Sequence, residues 1–346
     1  MTLTEHALQS MGFQEIDPEV PFTAHFYHIS VAEVVGLTVD RGTIIRREVK
    51  HDFELPVTVL LGNSLNEMCR DELDDDFISN EEEWCKEQGV NPPFLIIVVG
   101  PTEKHTATKG RWKEGEDSEV VTYETFESAK STLRSVAERA APRIYSSVTV
   151  QFYHLQNTLR IKPIKPTIAG KLDDGRIIHD IRVQMSGSVT VYTSINTSEI
   201  EQLLSDSIDR LPNLDTRATG FLYSAEVEKD RIRRFLNYFV SVEIATHRAF
   251  KSTDESSTEI LSSALPSQIR AEGGALIERI YSEFRSLVDR FVWCSVVCWP
   301  NMTDHEIAEL RRLKKIRDDI AHGKVGDVAQ TDVEAMRSLA LTVLRA

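Results

Sequence analysis

Basic charge is scarce in this sequence. Its 40 lysines and arginines stand against 54 aspartates and glutamates, which gives a formal net charge of −14. A protein with this balance does not attract nucleic acid over its whole surface, so an RNA site has to be a local basic patch. Cysteine is scarce as well: the four cysteines show no two-pair metal spacing. Cys294 and Cys298 lie four residues apart in an apolar stretch, which favours buried thiols and a reducing cytoplasm.

Membrane and secretion signals are also missing. The longest apolar run, Phe291–Trp299, is too short to span a bilayer. The segment Met1–Phe13 has neither the basic start nor the apolar core of a signal peptide. Residues 1–215 contain no P-loop, Gly-x-Gly-x-x-Gly, Gly-x-Ser-x-Gly or His-Glu-x-x-His motif. We therefore expect a cytoplasmic protein that does not bind membranes, with no cofactor and no metal.

Residues 1–215 predict an α+β fold, because short β-branched and aromatic runs alternate with glycine turns and a few helical stretches. Pro93–Gly100 is a continuous apolar run and predicts a buried central strand. Thr102–Asp117 is polar and predicts a loop, which also offers a break between two subdomains near 101–120. Thr125–Ala141 has helical spacing, and the helix is predicted to end before Pro142.

Two charged segments in this region each have two interpretations. The predicted loop contains Lys104, Lys109, Arg111 and Lys113 around Trp112, a composition that can contact RNA, although an exposed flexible loop is the more common outcome. The acidic runs at 71–76 and 81–83 offer clustered carboxylates for a divalent cation, but their spacing matches no calcium loop. A solvated acidic surface is the favoured interpretation.

From Ser224 onward the apolar residues repeat with helical spacing. Four helices are predicted: 224–251, 266–299, a third that begins at Thr303 in a capping box with Glu306, and a last one that ends at Arg345. We therefore expect residues 216–346 to form an all-α helical bundle. The nearly all-apolar end of the second helix is suited to deep burial or to a subunit interface.

The third helix ends in an unusual group of residues. Arg317 follows Leu313 by four, so it occupies a position where the helical pattern requires an apolar side chain. His322 follows Asp318 by four, which places these two side chains on one face, and Gly323 is the expected C-cap. Arginine binds two phosphate oxygens and stays charged, and histidine exchanges protons near neutral pH. Together they can act on a phosphodiester.

Simpler interpretations of the same residues remain open. Arg317 can form an ion pair with a residue of another helix. The candidate partner is Glu243, an acid near the apolar face of the first helix. His322 can simply be a cation favoured by the helix dipole. The pair in this setting nevertheless favours function, with Arg317, His322 and Asp318 as catalytic candidates. The basic residues around them are candidates for RNA binding: Arg311, Arg312, Lys314, Lys315 and Lys324.

The segment Arg317-Asp318-Asp319-Ile320-Ala321-His322 resembles the signature of the HEPN superfamily, an arginine followed after four to six residues by a histidine. The resemblance covers about the last third of the chain. It implies a metal-independent endoribonuclease that acts as a homodimer and leaves 2′,3′-cyclic phosphate and 5′-hydroxyl ends. It also implies a role in phage defence or toxin-like growth arrest, with single-stranded or tRNA-like RNA as the substrate.

One geometric difficulty accompanies this interpretation. Five residues at 100° each place Arg317 and His322 about 140° apart around a straight helix. The two side chains converge only if the helix end unwinds, if the long arginine reaches round the helix, or if a partner subunit completes the site. We favour the partner subunit.

Two alternatives belong to different functional classes. The first is a non-catalytic HEPN module that binds RNA, a nucleotide or a protein partner. The second is a dimerisation bundle that serves a ligand-binding N-terminal region. Residues 1–215 are expected to act as a sensor or regulator, but their sequence identifies no ligand.

Overall fold

The computed structural model describes both regions of the chain. It covers residues 8–49, 53–73, 77–78, 80–114, 118–123, 127–153, 159–164, 166–173, 175, 177–179, 193–194, 197–253, 275, 279, 283 and 286–346. The fold is α+β, as predicted, with an N-terminal antiparallel sheet followed by a helical region.

Two compact units share the chain in four segments. The sheet unit consists of Met1–Ala141 and Lys162–Glu201, and the helical unit of Pro142–Ile161 and Gln202–Ala346. The sequence predicts a single domain boundary, at residue 215. In the structure the chain passes between the units three times.

A long strand, β1 (Gln14–Val35), organises the sheet unit. Nine of the described strands form one sheet, and six of them follow the order β10-β9-β1-β5-β4-β3. Strands β6 and β8 also pair with β1, and β7 pairs with β6. Their bounds are Ile44–Glu48 (β3), Val57–Gly62 (β4), Phe94–Val99 (β5), His105–Glu114 (β6), Ser118–Tyr123 (β7), Arg160–Pro163 (β8), Thr167–Leu172 (β9) and Ile177–His179 (β10). A separate parallel pair joins β2 (Leu37–Thr38) to β11 (Thr193–Ser194).

The central strand predicted from the apolar run is confirmed as β5. Every residue of Phe94–Val99 is buried, and β5 pairs antiparallel with β1 on one side and β4 on the other. Burial on both faces explains why the run shows no polar alternation. Helix α1 (Leu65–Leu73) contributes Leu65, Met68 and Cys69 to the adjoining core, and the partly buried Trp84 and Cys85 of α2 (Glu81–Gln88) pack against it.

The loop predicted at Thr102–Asp117 is wrong. His105–Glu114 is strand β6, which pairs antiparallel with β1 and β7. Trp112 points into the core and is only 2% exposed, so it is not a ring on which a base can stack. The side chains of Lys109, Arg111 and Lys113 are half-buried, because alternate residues of a strand point to the face opposite Trp112.

The helix predicted to stop before Pro142 continues through it. α3 runs from Glu127 to Phe152, so its last turns include a β-branched stretch whose composition favours a strand. Ser146, Ser147 and Thr149 are buried, and their hydroxyls donate to backbone carbonyl oxygens. Tertiary packing here overrides the strand propensity of the local sequence. Pro142 coincides with the boundary between the units.

A buried histidine makes the sheet unit sensitive to acid. His28 is 6% exposed, its Nδ1 lies 3.3 Å from Ser30 Oγ, and burial lowers its pKa from 6.5 to about 4, with a smaller contribution from Arg134. The unfolded chain takes up this proton near pH 6.5, so the stability contributed by neutral His28 is complete above that pH. It is lost as the pH falls toward 4.

We expect this group to reduce the free energy of unfolding by about 1.4 kcal/mol per pH unit between those two values. Urea titrations of wild type and His28→Gln at pH 7.5 and pH 5 measure the effect. The variant is expected to lose less stability than wild type on acidification. Equal losses in both proteins would show that His28 is not the sensitive group.

The helical unit contains the part of α3 from Pro142 onward, six further described α-helices and a short 3₁₀ turn at Leu211–Asn213. Their bounds are Thr197–Asp209 (α4, of which residues up to Glu201 belong to the sheet unit), Thr216–Val227 (α5), Arg231–Ser252 (α6), Leu287–Val297 (α7), Asp304–Ala321 (α8) and Gln330–Arg345 (α9). The helix predicted at 224–251 is confirmed from Arg231 onward as α6, but its first residues belong to α5. Asp230 caps a new helix there by accepting a hydrogen bond from the backbone N–H of Arg233 at 2.9 Å.

Most of the second predicted helix, 266–299, lies outside the described residues, and its last turns are α7. Phe291 and Cys294 of α7 pack into the core with Phe239 of α6 and Leu313 of α8. Cys294 and Cys298 are free thiols, as predicted. None of the described helices is both long enough and apolar enough to cross a bilayer.

A buried ion pair lies within this helical core. Arg337 of α9 is 2% exposed, and its Nε donates to Glu226 Oε1 of α5 at 2.6 Å. Its Nη2 donates to the carbonyl oxygen of Leu159 at 2.9 Å, and its guanidinium lies 5.6 Å from the ring centre of Tyr153. The Tyr238 hydroxyl of α6 donates to the same Glu226 oxygen at 3.0 Å. These contacts join α5, α6, α9 and the segment before β8.

Candidate functional site

The predicted site lies on α8, whose start is fixed by local sequence. Thr303 Oγ1 accepts a hydrogen bond from the backbone N–H of His305 at 3.2 Å, and Glu306 Oε2 accepts one from the backbone N–H of Thr303 at 2.9 Å. This is the predicted capping box. Leu310 and Leu313 are fully buried, so the row that leads to Arg317 faces the helical core.

The end of α8 holds His322 in an exposed position. His322 is the C-cap, and Gly323 has a positive φ of 68°. The Gly323 N–H donates to Ile320 O, and the Lys324 N–H donates to Asp319 O, each at 2.9 Å. This pair of bonds is a Schellman motif, which requires the left-handed conformation that glycine adopts most easily. Gly323 therefore ends the helix as predicted, but it stands one residue after the C-cap, which is His322. The imidazole is presented to solvent at the last turn.

Arg317 is oriented by groups from two helices. Its Nη1 donates to Asp318 Oδ1 at 2.9 Å, and its Nη2 lies 3.7 Å from Glu243 Oε1 of α6. Its guanidinium carbon lies 5.0 Å from the centre of the Phe239 ring, within the range of a cation–π contact. The side chain remains 32% exposed, so one edge of the guanidinium is accessible to a ligand. Glu243 and Arg317, predicted as partners, are thus brought together.

Asp318 connects the two candidate groups electrostatically. Its Oδ2 accepts a hydrogen bond from Lys314 Nζ at 2.6 Å, and this bond lowers the pKa of Asp318 further below neutrality. The charges of Lys314, Arg317 and His322 act in the same direction. Asp318 is therefore an ionised acceptor at neutral pH rather than a proton donor. It can position Arg317 through the hydrogen bond from Arg317 Nη1.

The helix end does not unwind in a way that would bring the side chains of Arg317 and His322 together within one chain. α8 remains helical through Ala321, and His322 itself has φ −90° and ψ 5°. The two side chains therefore leave opposite sides of α8, about 140° apart. Unwinding at Gly323 is excluded as the route that joins them.

The basic residues of α8 fall into two groups. Arg312 is bound by Glu309 at 2.6 and 3.0 Å and by Asp332 at 2.5 Å, and Lys324 lies 3.4 Å from Asp319. By contrast, Arg311 and Lys315 are exposed, and neither forms an ion pair with any residue that the structure describes. These two lie on the solvent face of α8, within about 40° of His322 around the axis. Lys314 belongs with the paired group through Asp318.

A second histidine, His247, lies near this site and was not among the residues predicted from the sequence. His247 follows Glu243 by one turn on α6, and its Nδ1 lies 3.1 Å from Arg290 Nη1 of α7. The guanidinium of Arg290 lies 5.5 Å from the ring centre of Phe250. Partial burial and the charges of Lys251 and Arg290 lower the pKa of His247, against the opposing charge of Glu243. The spacing of Glu243 and His247 was the available signal.

The remaining charged clusters do not add a metal centre. In the part of the chain that the structure describes, no three His, Cys, Asp or Glu side chains are grouped as metal ligands. Of the acidic runs, Glu81 caps α1 by accepting from the Leu65 N–H at 2.6 Å and from Ser64 Oγ at 2.8 Å, which is a structural role. Comparison with known proteins finds no matching family model, no matching curated protein and no matching solved structure.

Proposed function

We propose that the protein is a metal-independent endoribonuclease of the HEPN type. The proposal rests mainly on one observation: a half-exposed Arg317 guanidinium, fixed by Phe239, Glu243 and Asp318, lies one turn before an exposed His322 at the helix end. A fixed guanidinium with an open edge suits a phosphate, and a solvent-exposed imidazole suits proton transfer.

The proposed reaction is an intramolecular transesterification. An imidazole removes the proton of the ribose 2′-hydroxyl, and the 2′-oxygen attacks the adjacent phosphorus. Arg317 stabilises the negative charge that develops on the phosphoryl oxygens. The bond from phosphorus to the 5′-oxygen then breaks, and an acid protonates this leaving group. The products are a 2′,3′-cyclic phosphate and a 5′-hydroxyl, and no metal takes part.

A homodimer supplies the groups that a single chain does not bring together. We propose that Arg317 of one subunit and His322 of the other share a cleft. The exposed apolar residue Val296 on α7, which is 73% exposed, supports an interface through this helix. Arg311 and Lys315 extend the basic surface along α8 and are the favoured RNA contacts of that helix.

The biological setting follows from the same proposal. A ribonuclease of this kind acts in the cytoplasm, in phage defence or toxin-like growth arrest. The sheet unit then serves as a sensor or regulator that controls the helical unit. Its ligand is left open.

The first test compares wild type with His322→Ala on labelled single-stranded RNA and on a tRNA pool in EDTA. We expect wild type to cleave, and the variant to be slower by about 10²–10⁴-fold, the usual contribution of a general acid or base. Circular dichroism confirms that the exposed substitution leaves the fold intact. Cleavage by the variant at the wild-type rate would remove His322 from the mechanism.

The same assay tests the shared site. Mixing the inactive Arg317→Ala and His322→Ala proteins regenerates one intact site in each mixed dimer. Statistical exchange then restores roughly a quarter of the wild-type activity in a two-fold symmetric dimer. If both groups act within one chain, mixing restores nothing.

A non-catalytic RNA-binding module is the second candidate. Two observations favour it: Arg317 already has carboxylate partners, and His322 projects from the other side of α8. Binding without cleavage by wild type, lost on charge reversal at Arg311 and Lys315, would support this alternative.

A further inference from the structure

One side of α6 carries two aromatic rings, each with a guanidinium held over it. Arg317 lies over Phe239, and Arg290 lies over Phe250, with distances of 5.0 and 5.5 Å to the ring centres. Phe239 and Phe250 are eleven residues apart in sequence, which corresponds to about 16 Å along α6 and about 20° around it. The two cations therefore mark the ends of one row.

The residues between these ends are also polar. Glu243 and His247 follow Phe239 at successive turns, on the side of α6 where Arg317 and Arg290 lie. We name this row, formed by Arg317, Glu243, His247 and Arg290, the α6 track. All its members belong to the helical unit.

The hydrogen bonding of His247 fixes what it offers to a ligand. A guanidinium has only donors, so Arg290 must donate and His247 Nδ1 must accept. The neutral ring then carries its proton on Nε2, where it can donate to a phosphate oxygen. His247 and Arg290 therefore present hydrogen-bond donors to a ligand side by side.

The charges of the α6 track favour a polyanion. Among the side chains that the structure describes here, Arg317, Arg290 and the adjacent Lys251 outnumber Glu243, and Lys314 offsets Asp318 beside Arg317. A guanidinium stacked on an aromatic ring has already lost much of its conformational freedom. Less side-chain conformational entropy is therefore lost when it binds a phosphate. This local positive row stands within a chain of net charge −14.

We propose that the α6 track binds one single strand of RNA, with Arg317 and Arg290 on two different phosphates and His247 donating to the phosphate near Arg290. Successive phosphates of one strand are at least about 3.4 Å apart along its path, so a row of about 16 Å spans several nucleotides. The inference rests on the proposed function, because it places Arg317 at the phosphate to be cleaved. It adds a binding subsite on α7 to that site.

The test measures binding separately from cleavage. A fluorescent 2′-O-methyl RNA 12-mer cannot be cut by attack of the 2′-oxygen, and its affinity is measured by anisotropy in EDTA over a series of salt concentrations. The proteins are wild type, Arg290→Gln, Arg290→Lys, His247→Gln and Arg248→Gln. Arg248 is the matched control: it loses the same charge on the opposite side of α6, where it pairs with Asp215 at 3.0 Å.

We expect Arg290→Gln to weaken binding about tenfold, as for loss of a hydrogen bond between charged groups. The slope of log affinity against log salt should fall in magnitude by about 0.7, the value for one phosphate contact on a single strand. Arg290→Lys should keep the slope, and His247→Gln should weaken binding at an unchanged slope. Arg248→Gln should match wild type.

The outcomes separate this inference from the proposed function. If Arg290→Gln binds like wild type, or if wild type does not bind the oligonucleotide, the inference is wrong. If Arg290→Gln loses binding as expected but wild type cleaves no unmodified RNA, the inference stands and the ribonuclease proposal fails. Equal losses in Arg290→Gln and Arg248→Gln would indicate a general charge effect and overturn the inference.

Discussion

Replacing Arg337 by methionine is expected to lower the free energy of unfolding of the helical unit by about 3–5 kcal/mol, the cost of breaking a buried ion pair on one side. Methionine fills part of the space left by the arginine, but it offers no donor to Glu226 or to the carbonyl oxygen of Leu159. Both acceptors would then be buried without their present partner. Urea titration followed by circular dichroism measures the loss.

The pH dependence of this loss identifies its cause. Burial raises the pKa of Glu226 to about 7 in the folded protein, against the opposing effects of Arg160 and Tyr238. A raised pKa means that the neutral carboxyl is favoured in the folded state at lower pH, so an unpaired Glu226 is tolerated better there. We expect the Arg337→Met penalty to be smaller at pH 5.5 than at pH 8.

Two controls accompany this experiment. Arg231→Met removes an exposed arginine that pairs with Asp327 at 2.7 Å in the same unit, and it should cost no more than about 1 kcal/mol. The double variant Arg337→Met with Glu226→Gln should recover part of the lost stability, because it also removes the buried charge of Glu226. A single Arg337→Met variant as stable as wild type would contradict the structural role assigned to this pair.

Replacing Arg317 by glutamine is expected to reduce the rate of RNA cleavage by about 10²–10³-fold, as for loss of one fixed donor to a developing charge. Glutamine keeps polarity and much of the length but cannot hold a full charge over Phe239. Arg317→Lys should restore little of the cleavage rate, because an ammonium group cannot bind two oxygens in the geometry of a guanidinium. The measurement is the single-turnover cleavage rate at saturating protein.

Arg312→Gln is the matched control for this rate. It removes the same charge from the same helix, but Arg312 is already bound by Glu309 and Asp332. We expect little change in the cleavage rate. Equal losses in Arg312→Gln and Arg317→Gln would mean that the total charge of α8, and not a catalytic guanidinium, controls the reaction.

Features determined by neighbouring residues could be predicted from the sequence. The capping box at Thr303 and Glu306 and the helix stop at Gly323 depend on hydrogen bonds that span a few residues. The capping box is confirmed, and Gly323 ends the helix one residue after the C-cap, His322. The buried strand β5 was also recognisable, because a short apolar run between proline and glycine has few alternatives. The meeting of Arg317 with Glu243 followed from two polar residues on packing faces.

Features determined by distant contacts were missed. α3 continues through Pro142 and through a β-branched stretch because its buried hydroxyls find carbonyl partners in packed surroundings, which no local pattern shows. The polar composition of β6 concealed its alternation around Trp112. His247 was not recognised as a site residue because its partner, Arg290, is 43 residues away in sequence.

The most direct test of the central claim uses a DNA oligonucleotide that carries a single ribonucleotide, incubated with wild-type protein in EDTA. The account predicts one cut, immediately 3′ of the ribose, with a 2′,3′-cyclic phosphate on one product and a 5′-hydroxyl on the other. The all-DNA oligonucleotide should remain intact. Cutting of the all-DNA strand, cuts elsewhere in the chimera, or a 3′-hydroxyl and 5′-phosphate at the cut would contradict attack by the 2′-oxygen. The ribonuclease mechanism proposed for Arg317 and His322 would then be wrong.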